Sequence, residues 1–220
     1  MPLKRILCLA FSRREGGHCF AGIDIVTGTW IRPISKSGRG GLYYHECLVR
    51  QLDNKFVEPR VLDVIELNLV SPEPKLGQPE NWLLGEGQWT VVGRSTLQGL
   101  SASISAEPEL FRGYERFVDA SEIANRPPIY SLVLVRPENL AWYAEPNRYG
   151  KKRMVGIFSI YGSTYSLPLT DDAYAHTLDD IKLFERRSHD PSIPILFTLS
   201  LGDVWAETHR HYKLIAGVVT

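Results

Sequence analysis

The chain has 220 residues, 44% of them hydrophobic, and its 25 basic residues are matched by 25 acidic ones. That length and apolar fraction suit one large β domain or two small ones and exclude a disordered chain. Zero net charge argues against a protein that coats nucleic acid by charge alone.

Taken in order, residues 5–11 form an apolar run too short for an ordinary helix and rich enough in Ile and Leu for a buried strand. Residues 12–17 break it, residues 18–25 make a second strand, Thr27-Gly28 supplies a tight connection, and residues 29–35 read as a third strand ending at Pro33. The glycine-rich stretch 36–41 lacks the phosphate-loop pattern. Leu48, Leu52 and Phe56 recur at four-residue steps and permit a short helix. Residues 61–70 alternate as a long strand, the prolines of 71–80 make a loop, and a short strand surrounds Trp89.

Residues 108–123 carry the best helical pattern, with Leu110, Phe111, Tyr114, Phe117 and Val118 at three- and four-residue intervals and Pro127-Pro128 stopping continuation. Strand candidates follow at 129–135, 139–144, 154–161, 164–169, 195–201 and 212–218, with Asp171-Asp172 capping a short helix that reaches about residue 184. The fold class is therefore mainly β with one or two helices. Two small barrels sharing a wall fit the recurrence of strands on both sides of one central helical segment.

The densest functional signal lies in residues 12–35. Arg13 and Arg14 stand beside Gly16-Gly17, where glycines let successive backbone N–H groups point one way and accept an anion. Ser12 is a further anion contact, and Arg32 on the third strand is within reach of the same face. Trp30, Tyr43 and Tyr44 are candidate stacking surfaces. A second basic cluster, Arg148, Lys151, Lys152 and Arg153, precedes the strand at 154–161, close to Tyr161 and Tyr165. The alternative for both is a solvated hairpin with surface cations. Residues 1–60 hold ten basic against five acidic side chains and residues 61–130 the reverse, which fits either an anionic ligand or contact between the two segments.

Catalytic and metal motifs are absent from the sequence. His209-Arg210-His211 and His18-Cys19 offer ligand types without convergence, no CxxC or HExxH occurs, and there is neither a GxSxG elbow nor an assignable general base. No metal or cofactor is expected and no catalytic residue is assigned; an enzyme centred on His209, His211 or the carboxylate pairs Asp171-Asp172 and Asp179-Asp180 is a third alternative. Cys8, Cys19 and Cys47 are too few and scattered for a disulfide framework and are expected reduced. No stretch approaches membrane-spanning length, and the apolar run after Lys4-Arg5 stops too soon for a secretion signal, so the expectation is a cytoplasmic protein without a membrane partner.

The segment from Cys8 to Ser35, then VLDVIELNLV, ENWLL, YSLPLTD, FTLSLGD and the terminal YKLIAGVV together resemble a family of prokaryotic dual OB-containing domain proteins over nearly the whole chain. The resemblance implies two OB-like β-barrels packed together, a first over residues 1–105, a connecting helical segment over 106–128 and a second over 129–220, or the two as one compact unit. It also implies a nucleic-acid or nucleotide-binding role in phage defence, with a family face on Ser12, Arg13, Gly17, Cys19, Gly22, Trp30, Arg32 and Pro33. Asn81, Trp82, Tyr212 and Lys213 belong to its other motifs. The resulting expectation is a noncatalytic module that binds a short single strand, a structured RNA or DNA end, or a nucleotide. Ser12, Arg13, Arg14, Gly17, Trp30, Arg32, Lys151, Lys152 and Arg153 are its ligand-binding residues. The alternative is a protein-interaction module of a larger prokaryotic assembly that contacts no nucleic acid.

Overall fold

In a computed structural model that describes residues 2–14, 17–37, 41–107 and 109–220, the apolar run near the start forms β1 (Leu3–Arg14). It pairs antiparallel with β2 (Gly17–Asp24), which pairs with β3 (Trp30–Ile34) through a turn at Thr27-Gly28. Gly28 has a φ of +71° there, a value that favours glycine. A 3-10 turn at Tyr44–Glu46 leads to a hairpin of β4 (Val49–Arg50) and β5 (Phe56–Val57), then to β6 (Asp63–Pro72), β7 (Asn81–Leu84) and β8 (Trp89–Arg94). β3 pairs parallel with β7, β7 antiparallel with β6, and β6 antiparallel with β1. The order β1–β2–β3–β7–β6–β1 thus closes a five-stranded Greek-key barrel of OB type. β8 continues the sheet from β6 and carries the β4–β5 hairpin. Phe20 and Trp89 meet edge to face at 4.9 Å between ring centroids inside this barrel.

The second half holds β9 (Phe117–Asp119), α1 (Ala120–Asn125), β10 (Leu132–Val135), β11 (Glu138–Pro146), β12 (Lys152–Ile160), β13 (Ser163–Pro168), α2 (Asp172–His176), β14 (Arg186–Ser188), β15 (Leu196–Trp205) and β16 (Arg210–Val219). They form two four-stranded sheets, β10–β15–β16–β9 and β13–β12–β11–β14, linked at a parallel bridge between Leu169 and Ile215. This half-barrel packs around Trp142, Phe158, Phe197 and Ile215, with Phe158 edge-on to Phe197 at 5.2 Å.

β1 is buried on both faces, which is why it reads as an unbroken apolar run rather than an alternating one. Ile6 and Cys8 face the first barrel, while Leu7 and Leu9 join Leu134, Leu196 and Val219 of the second half. A bulge leaves Leu9 unpaired with β2, and its carbonyl accepts the Thr198 hydroxyl at 2.6 Å. Opposite it, β16 bulges at Ala216, and the small residues Ala10, Ala21 and Ala216 let the two backbones close together. A Cβ on Gly217 would collide with the Leu9 carbonyl oxygen and stand 2.8 Å from the Ala10 Cα.

Polar groups complete the seam. The Glu80 carboxylate accepts the Ser131 hydroxyl at 2.7 Å, the Leu132 N–H at 3.2 Å and the Ser131 N–H. Gln78 Nε2 donates to the Leu201 carbonyl at 3.4 Å. Buried acceptors matched this way avoid a cost of about 1–3 kcal/mol each.

Three expectations are corrected. The helix over 108–123 is not formed. Pro108 lies outside the described residues, 109–116 is irregular, Phe117–Asp119 is β9 and only Ala120–Asn125 is helical. Phe111 and Arg112 have φ of +47° and +64°, incompatible with a right-handed helix, and Val118 is buried through strand alternation against β16. The region around Leu48, Leu52 and Phe56 is the β4–β5 hairpin, with Leu52 fully turned to solvent at 91% exposure. The helix expected to reach residue 184 stops at His176, although Asp171 caps it as expected by accepting the Tyr174 N–H at 3.0 Å.

The seam makes a stability prediction. Gly217→Ala should lower unfolding free energy in urea by about 1–3 kcal/mol through overpacking against backbone, whereas Gly93→Ala, whose Cβ would have its nearest neighbour at 3.9 Å, should change it by less than about 0.5 kcal/mol. Equal midpoints for the two variants would remove the seam from the account.

Candidate functional site

The residues expected to share one ligand face are spread over several environments. Ser12 is 5% exposed and pairs with Cys19 in the ladder. The Arg13 backbone donates to the Thr170 carbonyl at 3.2 Å, and its guanidinium pairs with Asp172 at the start of α2, so it bridges the two halves of the chain. The Arg14 side chain and Gly16 lie outside the described residues, as do 38–40. Gly17 is needed for close approach, since a Cβ there would meet the Leu42 carbonyl oxygen. Trp30 is half-buried and packs at the seam against the Leu7–Leu134 and Ala10–Ala216 clusters.

Arg32 is 2% exposed, and its Nη2 donates across the seam to Ser200 Oγ at 3.0 Å, while Nε and Nη1 have no hydrogen-bond partner among the described residues. Lys152 donates to the carbonyls of Asp179 at 2.8 Å and Ile181 at 3.1 Å, and Arg153 grips Glu145 with Nε at 2.9 Å and Nη2 at 2.6 Å. Lys151 is exposed on the β11–β12 turn. The meander of β1 to β3 is therefore largely the wall between the halves.

A different surface collects the features that stacking and anion contact require. β16 alternates: His211, Lys213 and Ile215 are buried, while Arg210, Tyr212 and Leu214 are half-buried on the opposite face. Cross-strand partners share a face. Trp205 of β15 is opposite Arg210, Asp119 of β9 is opposite Arg210, and Phe117 is opposite Tyr212. The Arg210 guanidinium lies 3.8 Å over the Phe117 ring and its Nε reaches Asp119 at 3.0 Å, while Phe117 and Tyr212 meet at 6.2 Å.

Beside them, the β11–β12 turn is shaped by Asn147, whose Oδ1 accepts the N–H groups of Tyr149 and Lys151, and by Gly150 at φ +73°. The turn carries Arg148 over the Trp205 ring at 4.3 Å and over Tyr149 at 4.6 Å, with Glu207 as its ion-pair partner at 3.3 Å. Each guanidinium–ring contact contributes about 0.5–1 kcal/mol at an exposed site. Tyr149 is 66% exposed and offers a ring to solvent. Sequence reasoning placed Arg148 in a basic cluster and missed Trp205. Its one visible signal was a tryptophan immediately before the polar hairpin turn 206–209.

A family model described as a dual OB-containing domain matches residues 4–218, and the chain therefore belongs to that family. No curated protein and no solved structure matches it. With its five-stranded barrel and mainly β architecture, the chain is an OB-type module. Among the described residues, no helix is long and apolar enough to cross a membrane.

On the buried side of the same strand, Lys213 is 0% exposed and its ammonium donates to the carbonyls of Gly113 at 2.6 Å and Arg112 at 3.4 Å. Phe111, Arg112 and Gly113 all have positive φ, which turns the strap leading into β9 around the lysine. Burial pushes this amine down to about 8, against the opposing pull of Glu109, Glu122 and Glu115. At this amine the folded chain thus releases the proton before the unfolded chain does, so between about pH 8 and pH 10.5 the contribution of Lys213 to stability rises with pH. The rise attributable to Lys213 should reach at most about 3 kcal/mol. Urea unfolding of the parent chain and Lys213→Met across this window measures it: the parent should gain stability relative to the variant, and parallel curves would contradict the assignment.

Proposed function

We propose that this dual OB-containing chain is a noncatalytic module that binds single-stranded nucleic acid on the face formed by Trp205, Arg210, Tyr212 and Phe117, with Arg148 and Tyr149 at its edge. The observation that supports this reading is the side-by-side arrangement of aromatic rings and guanidinium groups on one sheet face. Flat rings stack on any nucleobase, and guanidinium groups add cation–π contact and phosphate hydrogen bonds. Asp119 and Glu207 neutralise part of the positive charge, so stacking supplies more of the affinity than phosphate neutralisation does. That balance suits a chain with zero net charge. On the family resemblance alone, we assign the module to the prokaryotic cytoplasm and to phage defence.

Docking of a protein partner by the basic first segment is the less favoured reading. Lys4, Arg5, Arg13, Lys36 and Lys55 of that segment are already paired with Asp24, Glu66, Asp172, Glu86 and Asp53. Five of the segment's ten basic side chains are thus paired with carboxylates among the described residues, and no aromatic–guanidinium face like that of Trp205 and Arg210 accompanies them there.

Fluorescence anisotropy with labelled single strands of roughly 8–12 nucleotides tests the proposal. Trp205→Ala should weaken binding by about tenfold or more, equivalent to 1–3 kcal/mol per lost stack, while Arg13→Ala stays within about twofold. The slope of log affinity against log salt should be shallow, near −1 to −2, as expected for roughly two phosphate contacts. Absence of binding, or loss confined to Arg13→Ala, would refute the reading.

A further inference from the structure

A second site, separate from the stacking face, lies where the first and second halves adjoin. A cleft of about 580 Å³ opens between residues 136–139, which make the β10–β11 connection and the start of β11, and residues 189–195 between β14 and β15, with Leu97 of the 3-10 segment Leu97–Ser103 closing one side. Its volume falls in the range of small-molecule sites, which favour junctions of this kind. The floor is apolar, from Leu140, Ile195 and Leu196, and Pro137, Pro191 and Pro194 form stiff walls.

Both loops are held in shape before any ligand arrives. Asp190 accepts the Ser192 N–H at 2.9 Å and the Ser192 hydroxyl at 2.8 Å, and its own carbonyl accepts the Ile193 N–H at 3.1 Å. The His189 backbone donates to the Leu140 carbonyl at 2.9 Å, and its Nε2 donates to the Ile193 carbonyl at 2.9 Å. That hydrogen bond leaves Nδ1 of a neutral ring as an acceptor. On the facing side, Asn139 has a φ of +53° inside the bulge at the start of β11. Loops fixed in this way lose little entropy when a ligand binds.

The polar groups on the rim define the ligand. Arg136 is exposed and, among the described residues, has no hydrogen bond or ion pair, and the same holds for the side chains of Asn139, Ser188 and Glu138. Arg136 is thus an unused planar fork whose geometry matches a phosphate. Ser188 and Asn139 add donors, and Glu138 accepts from hydroxyl or amine groups. An apolar floor between proline walls takes a flat ring.

We propose that this cleft binds a nucleoside monophosphate, with the phosphate on Arg136, the base on the Leu140–Ile195 floor and the ribose hydroxyls toward Glu138 and Asn139. The site does not depend on the nucleic-acid reading, because its lining shares no residue with the Trp205 face.

Isothermal titration of the full chain with AMP, GMP, CMP and UMP tests it, with the matching nucleosides and inorganic phosphate as comparison ligands. At least one monophosphate should bind, and its nucleoside and phosphate alone should each bind at least tenfold more weakly. Arg136→Ala should weaken it tenfold or more, Arg136→Lys should recover part of the loss, and Trp205→Ala should leave it unchanged. Circular dichroism confirms that the exposed-site variants fold. The proposal is overturned if no monophosphate binds at millimolar concentration, if phosphate or nucleoside alone binds as tightly, or if Arg136→Ala binds like the parent. Loss of binding in Trp205→Ala instead of Arg136→Ala would move the ligand to the stacking face and also overturn it.

Discussion

The close contact of β1 with β16 is the constraint on which the rest of the structure depends. Two bulged strands approach until only glycine fits at position 217, and the Leu9 carbonyl freed by one bulge is satisfied by Thr198 of the neighbouring half. Around this contact the Glu80 carboxylate holds the Ser131 and Leu132 amides, and Arg32 reaches Ser200. A backbone contact of this closeness, with the Leu9 carbonyl and the Glu80 carboxylate hydrogen-bonded across it, has one register. The closed barrel and the half-barrel are therefore joined in a single geometry.

That constraint carries through to the surface. β16 enters the seam at Ala216 to Val219 and presents Arg210 and Tyr212 at its other end, a span of roughly 23 Å at strand rise from residue 210 to residue 217. Lys213 between them is clamped from inside by the strap carbonyls. Arg210 and Tyr212 thus sit on a strand fixed at one end by packing and at its middle by a buried amine, with Trp205 and Phe117 on the strands paired to it. Preorganisation of this kind reduces the entropy lost on binding.

Much of the first barrel was legible because its strands carry their own signals. The run at residues 5–11, the Thr27-Gly28 turn and the alternation at 61–70 each report a local requirement of β structure. The stretch 12–35 carries the densest turn and charge signals in the sequence, and by sequence alone its arginines and glycines fit a ligand seat. Gly17 admits the Leu42 backbone, Arg13 meets Asp172 and Arg32 is enclosed, and each of those partners is distant in sequence. The stripe from Leu110 to Val118 matched a helix because two buried turn residues and one inward-facing strand residue fall by chance at helical spacing. Trp205 and Arg148 come together only through the adjacency of two hairpin turns, and no local pattern announces it.

Where a single strand touches the folded chain separates the Trp205 face from the β1–β3 meander. Amide and indole chemical-shift mapping during titration with a short RNA or DNA strand reads this directly. Perturbations should centre on Phe117, the Trp205 indole, Arg210 and Tyr212, and on the turn carrying Arg148 and Tyr149, with the β1–β3 meander silent. Perturbations centred on residues 12–35, with the Trp205 indole unmoved, would contradict binding at the Trp205 face.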